Sequence, residues 1–324
     1  MDRIRVSVGT AAMLGMKKVR GDVKMETAYL LTYHSGRCRA NCQFCAQAKG
    51  SNASLDRVAR GIYPPYPLEE TVKGLEQAIR DGLIKRVCIQ TVNHPTLSGN
   101  LTKIIRSITR TGVPITVSRH PMDYEELNHL LALGVDRITI PLDAVTKEVF
   151  DKIKGEKVGN PYTWEGHWKG LERALEVFGR GKVGTHIILG FGETEEEAIK
   201  TIDRLHKTGI SPGLFAFVPI KGTPMGNLPK PSVVSYRRVQ LAYYLIRQGF
   251  SDFVFENGML VDFGIEEEKL NEIIETGEPF LTVGCPNCNR PYSTEGPLGP
   301  IYNFATLPTE RDIEEIKRQL NEYP

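Results

Sequence analysis

Six short runs of apolar, β-branched residues alternate with amphipathic stretches through the middle of this 324-residue chain, and that alternation restricts the fold more than any other feature. The runs fall at 27–33, 86–91, 114–118, 137–142, 183–190 and 214–220. Between them apolar residues recur three or four apart, as in Val72/Leu75/Ile79, Ile104/Ile105/Ile108, Leu127/Leu130/Leu131, Leu171/Ala174/Leu175/Phe178 and Ile199/Ile202/Leu205. That is the period of a helix with one buried face. Continuous apolar strands separated by helices imply a parallel sheet covered on both faces. The expected fold class is α/β, a partial TIM-like (β/α)6 barrel; a doubly wound sheet has the same one-dimensional pattern.

The punctuation agrees. Pro67 opens a helix with Glu69 and Glu70 in its first turn, and Thr194 precedes Glu195, Glu196 and Glu197 in the same way, as the helix dipole favours. Residues 221–232 hold three prolines and two glycines and read as a loop leaving the last barrel strand. Beyond it the pattern predicts a helix over 233–248, a strand over 252–256 and a helix near 265–275. A Gly- and Pro-rich stretch over 277–305 and a terminal helix over 309–321 follow. The chain therefore divides into an N-terminal extension (1–24), a barrel core (25–250) and a C-terminal extension (251–324).

Net charge is +2 with no Lys/Arg-rich block, a weak footprint for a nucleic-acid partner. No run approaches about 18 uninterrupted apolar residues, so no membrane span is expected. Met1-Asp2-Arg3-Ile4-Arg5 lacks the apolar centre of a signal peptide, and a cytoplasmic location is expected. Of the six cysteines, five fall in two tight groups: Cys38, Cys42 and Cys45, then Cys285 and Cys288, with Cys88 alone. Without a secretory signal these read as metal ligands or redox thiols.

Cys38-x3-Cys42-x2-Cys45 follows the first strand directly. Three thiolates on one short loop can grip three corners of an iron–sulfur cubane and leave the fourth iron open, whereas an electron carrier or a structural zinc site wants four ligands. A zinc site completed by His34, or three incidental thiols, are the alternatives. Gly36-Arg37-Cys38-Arg39-Ala40-Asn41-Cys42-Gln43-Phe44-Cys45 resembles the signature of the radical S-adenosylmethionine (SAM) superfamily, and the following Ala46-Gln47-Ala48 resembles its biotin synthase branch. The resemblance implies that Cys38, Cys42 and Cys45 hold a [4Fe-4S] cluster that binds SAM and yields a 5′-deoxyadenosyl radical. It also implies that Phe44 lies against the adenine. Leu142-Asp143 resembles the family's Leu-Asp, whose carboxylate reaches the ribose hydroxyls; the alternative for Asp143 is a cap for a helix over 145–153. Residues 188–194 resemble the fifth-strand motif beside the adenine, with Ile188 and Gly190 at its characteristic positions and His186 where the family has glycine.

Cys285-Pro286-Asn287-Cys288 alone suits a zinc half-site, a redox pair or two cluster ligands. Cys88 lies on the second strand, where its alternative is a small buried hydrophobe. Biotin synthase has a second-strand cysteine on an auxiliary, sulfur-donating cluster, and its other auxiliary cysteines align near Ser118 and Gly184, where this chain has none. The inference is that the C-terminal segment folds into the barrel mouth, so that Cys285 and Cys288 complete a second [4Fe-4S] cluster with Cys88. Ser293 and Arg290 are candidates for the remaining ligand. Together with Pro141, where biotin synthase has Asn, this ligand set most resembles the paired lipoyl synthases of archaea.

That resemblance implies a sulfurtransferase that adds sulfur to a protein-bound octanoyl or mercapto-octanoyl chain. Its partners would be a lipoyl-carrier domain bearing octanoyl-lysine, a paralogous partner synthase and an electron donor such as ferredoxin. Biotin synthase-like sulfur insertion on a small molecule and a non-catalytic iron–sulfur protein remain alternatives. His34, His94, His120 and His186 are expected as hydrogen-bonded loop or barrel-lining residues, and Arg119-His120 as a substrate contact.

Overall fold

The computed structural model describes residues 2–20, 25–290 and 299–321. Its first part comprises β1 (Arg3–Val6), α1 (Val8–Met13), β2 (Thr27–Thr32), β3 (Arg57–Val58), β4 (Gly61–Ile62), β5 (Pro65–Pro67) and α2 (Leu68–Arg80). Then come β6 (Arg86–Gln90), α3 (Leu97–Thr109), β7 (Ile115–Ser118), α4 (Tyr124–Ala132), β8 (Val135–Thr139), α5 (Lys147–Ile153) and α6 (Trp164–Phe178). Next are β9 (Val183–Leu189), α7 (Glu195–Thr208), β10 (Ser211–Ala216) and α8 (Val233–Arg247). The C-terminal part holds β11 (Val254–Glu256), β12 (Met259–Asp262), α9 (Glu267–Thr276) and α10 (Glu310–Asn321).

Strands β2, β6, β7, β8, β9 and β10 run parallel in that order, with helices between them, as the alternation predicts. The 1–24 segment contributes to the same sheet. Ile4 and Val6 are fully buried on β1, which pairs antiparallel with both β2 and β5. The ladder is not closed by hydrogen bonds between β10 and β5 among the described residues. No described helix is long and apolar enough to cross a membrane.

Side chains alternate between the faces of a strand, and here the alternation separates two chemistries. Ala28 and Leu30, Val87 and Ile89, Ile115 and Val117, and Ile187 and Leu189 join the main apolar core. Their neighbours line the interior instead: Tyr29 and Leu31, Cys88 and Gln90, Thr116 and Ser118, His186 and Ile188, Gly213 and Phe215. The runs are therefore apolar toward one layer and mixed toward the barrel axis.

Two strands differ from the expected ranges. β8 ends at Thr139 rather than 142, because Pro141 has no N–H to give the ladder and Asp143 adopts a φ of 64°. β10 covers Ser211–Ala216 rather than 214–220, although the Phe217 N–H still donates to Leu189 O at 2.8 Å. The 145–153 helix begins later too, at Lys147, capped by the Thr146 side chain.

The C-terminal extension is fastened to α8. Leu241 and Leu245 of that helix form a small core with Ile274, Phe280 and Ile316. Buried Arg237 donates to Tyr302 O and Gln240 Oε1, both at 2.6 Å, and to Ile301 O and Gln319 Oε1. Upstream, Thr27 Oγ1 donates to Asn287 O at 2.8 Å and Arg86 Nε to Pro286 O at 3.2 Å. Thr27 and Arg86 open their strands, so the end closed by residues 286–287 is the one at the strands' N-termini, opposite the first cysteine loop.

Thr194 caps α7 reciprocally with Glu197 and is exposed. Thr194→Ala is expected to cost about 1 kcal/mol in a urea titration, without the cavity loss of a core substitution.

Candidate functional site

The first cysteine loop is built by its own backbone. The Cys38 N–H donates to Gln47 O at 2.9 Å, Lys49 N–H to Ala40 O at 2.8 Å and Cys45 N–H to Cys42 O at 3.1 Å. Arg37 staples the loop across its back, donating to Ala46 O at 2.8 Å and Ala53 O at 2.7 Å. Asn41 ties it to the segment after α5, through Asn160 Oδ1 and through Val158 O at 2.9 Å. Cys38 and Cys42 are buried, Cys45 is half-buried, and all three are free. The Ala40 N–H points at Cys38 Sγ (3.4 Å) and Asn160 Nδ2 at Cys42 Sγ (3.9 Å).

Burial pushes the Cys45 thiol up to about 11, and Cys38 and Cys42 are raised for the same reason. A bound metal would supply the positive charge that such sites need for thiolates. His34, the candidate fourth ligand of a zinc site, lies elsewhere. Its Nδ1 accepts the Gly36 N–H at 3.0 Å and its ring stacks on His94 at 4.6 Å. His94 is buried with its Nε2 unpartnered.

A cavity of about 660 Å³ adjoins the thiols, lined by Phe44, Asp143, Lys154, His186 and Ile188 among others. Asp143 is no helix cap, since Thr146 takes that role. Its N–H donates to His186 O at 2.7 Å, and its Oδ2 accepts from Lys154 Nζ at 2.7 Å. Lys154 is 1% exposed and also donates to Pro141 O. It faces Cys38 and Cys42, lowering both against the rise from burial. Phe44 lies 5.5 Å from Phe191, which meets Phe217 at 5.0 Å.

Gly190 does not line the cavity. Its φ is 115°, a Cβ there would stand 2.9 Å from Pro231 Cδ, and its N–H donates to the Glu193 carboxylate. The Phe191 N–H donates to the same carboxylate at 3.0 Å. Glu193 thus shapes the turn that carries Phe191 to Phe44.

The structure also brings Cys88, Cys285 and Cys288 together. All three line one small pocket with Thr116, Ser118, Gly184, His186 and Arg290. Thr116 Oγ1 donates to Cys285 Sγ at 3.6 Å, and Tyr29 Oη lies 3.5 Å from Cys288 Sγ. Burial, then Cys285 and Cys288, push Cys88 up to about 12, while Arg290 pulls it down. Arg290 approaches Cys88 Sγ at 4.0 Å, and its buried Nε has no hydrogen-bond partner. Cys285 and Cys288 sit in a turn rather than at a helix start, unlike a redox pair. Ser293 lies outside the described residues.

The donor set of three thiols beside an unsatisfied guanidinium suits an iron–sulfur cluster. The free volume among them is about 30 Å³. Ser118, His186, Phe215 and Arg290 line both spaces, so the two cysteine groups open on one interior.

His120 lines the large cavity, stacks on Tyr162 at 4.4 Å and has a buried, unpartnered Nδ1. Arg119 is held by Glu126 at 2.6 Å. Sequence reasoning missed Lys154, Asn160 and the stapling role of Arg37. A lysine just past a helix end ordinarily reads as a solvated partner of the helix dipole, and nothing local marks Lys154 as buried.

Lys154→Met leaves the Asp143 carboxylate buried without its cation. The expected loss is about 3–5 kcal/mol in denaturant titrations of the cluster-free chain, with most of it restored by adding Asp143→Asn. Burial, followed by the Lys154 charge, depresses His120 to about 3 and His167 to about 2. Between those values and the ordinary 6.5 the unfolded chain binds more protons than the folded one. Stability is therefore expected to fall as pH drops below 6.5, and His167→Phe to flatten that fall.

The pattern that defines the radical SAM superfamily matches residues 32–205, more than half of the chain. Biotin synthase of Aquifex aeolicus is 28% identical over 230 residues, which cover 67% of this chain and 63% of that enzyme. An uncharacterized protein of Methanocaldococcus jannaschii is 25% identical over 229 residues, covering 67% of this chain and 56% of its own. Among solved structures, the FeFe-hydrogenase maturase HydG of Carboxydothermus hydrogenoformans superposes with a TM-score of 0.52 at 20% identity, covering 77% of this chain and 56% of that one. Methylornithine synthase gives 0.52 at 17% identity, over 72% and 66%. The matched solved structures share this α/β, TIM-like partial-barrel fold. The chain belongs to the radical SAM superfamily, and its sequence likeness lies on the biotin synthase side of it.

Proposed function

We propose that this protein is one half of a paired lipoyl synthase, a sulfurtransferase acting on an octanoyl or mercapto-octanoyl chain held on a lysine of a lipoyl-carrier domain. The observation that carries the reading is the convergence of Cys88 with Cys285 and Cys288 on the interior that also receives Cys38, Cys42 and Cys45. Membership of the superfamily implies a four-iron cluster and SAM at the first set; the second set is read as holding an auxiliary cluster. When bound, these groups supply radical cleavage of an unactivated C–H bond and the sulfur that replaces the hydrogen.

The chain's own residues bind, orient and exclude water. Asp143, held by Lys154 through one oxygen, presents the other to a ribose hydroxyl, and Phe44, backed by Phe191, offers an aromatic face to an adenine. Leu31, Met25, Val92 and Phe215 give the passage between the thiol groups an apolar lining suited to an alkyl chain. His186 adds no charge there: burial, then Arg290 and Lys154, hold it well below its ordinary value, so it stays neutral. A paralogous synthase acting at the other carbon and an electron donor such as ferredoxin complete the scheme.

Anaerobic reconstitution is expected to load about eight irons per chain, falling to about four in a Cys88→Ala/Cys285→Ala/Cys288→Ala variant. Four in the intact protein sinks the auxiliary cluster. Incubation with SAM, reductant and an octanoyl-lysyl carrier peptide should add the mass of one sulfur. An 8-mercapto-octanoyl substrate tells the two halves apart, and turnover only of a small free substrate would favour the biotin synthase-like alternative.

A further inference from the structure

Among the described residues lining the large cavity, Arg20, Ile62 and Thr306 are the exposed ones, and they mark its opening. Two of the three belong to short segments of unusual charge. Residues 16–20 and 54–62 carry Lys17, Lys18, Arg20, Arg57 and Arg60 against one acid, Asp56. These segments are +4 in a chain whose total is +2, so the rest of the molecule is net negative. Asp56 pairs with the buried Arg5. Among the described residues none of the five bases makes a salt bridge.

The placement is structural as well as compositional. Val19 and Arg20 line the cavity from one segment, and Val58, Ala59, Gly61 and Ile62 line it from the other. The second segment is the β3–β4 hairpin, whose two-residue turn is Ala59-Arg60, with Ala59 at a φ of 47°. Arg57 stands directly across from Ile62, so a base and an apolar side chain that is 47% exposed form one cross-strand pair. Gln47 holds this hairpin to the first cysteine loop, through Leu55 O at 2.7 Å and Arg57 O at 2.9 Å. The hairpin half of the basic rim is thus tied to the first cysteine loop.

We propose that this rim docks an acidic face of a protein domain that carries its acyl chain on a side-chain tether, with the chain entering past Ile62 and Arg20. The proposal rests on the reading of the substrate as protein-bound and names the surface that selects it. Unpaired bases around the opening attract an acidic surface over a distance comparable to the Debye length. The apolar walls of the cavity then take an alkyl chain. One exposed apolar side chain is too little for insertion into a bilayer.

The test uses the reconstituted holoenzyme, kept anaerobic, and two charge-reversed variants, Lys17→Glu/Lys18→Glu and Arg57→Glu/Arg60→Glu. The probes are a fluorescently labelled octanoylated carrier domain of acidic surface and a short, uncharged octanoyl-lysyl peptide. Each variant is expected to weaken the domain's Kd and raise its KM on the order of ten-fold, and to lose most of the wild type's salt dependence. Its KM for the peptide and its rate of SAM cleavage should match the wild type. Unchanged affinity for the domain in both variants overturns the proposal, as does tighter wild-type binding of phosphatidylglycerol vesicles or of tRNA than of the domain. If neither probe gains sulfur, the proposed reaction fails, and the anisotropy measurement still decides the docking surface.

Discussion

An ammonium or a guanidinium gives up several kcal/mol of hydration inside a protein, and this chain places both inside its barrel. Each is tolerated because opposite or complementary charge is close. Lys154 is held by Asp143 and faces Cys38 and Cys42, and Arg290 faces Cys88 and Cys288. Against the cost of burial, Cys288 and Cys88 hold Arg290 above its ordinary value. Iron would relieve the same strain more completely, which is why the two thiol sets read as metal sites rather than as idle cysteines.

The strand period of two makes the interior available for this chemistry. One face of each strand belongs to the apolar layer under the helices; the other presents Tyr29, Cys88, Gln90, Thr116, Ser118 and His186 toward the axis. Ser118 and Gly184 stand beside Cys88 in the same pocket. Cys285 and Cys288 arrive there from the far end of the chain, through a turn fixed by Thr27 and Arg86.

Much of this was legible in the chain. The six strands and their helices follow from apolar period, and three cysteines within eight positions define their site locally. Strand ends were harder: Pro141 and the positive φ of Asp143 stop β8 early, against an apolar run that continues to Leu142. The barrel-facing half of each strand was concealed by the assumption of two apolar faces. Lys154 was invisible because its burial depends on Asp143 and on Pro141 O, which lie 11 and 13 positions away in sequence. Arg37 lies within the cysteine motif, but its purpose as a staple appears only in the convergence of Ala46 O and Ala53 O on it.

The turn that carries Cys285 and Cys288 has a bearing on the order in which the molecule comes together. Cys38, Cys42 and Cys45 can gather as soon as their own loop has formed. The tie between Arg86 and Pro286 closes a loop of 200 residues, and chain entropy alone makes that roughly 3 kcal/mol harder than closing one of seven. During synthesis the second group of sulfurs therefore does not exist until nearly the whole chain has emerged and the barrel has folded.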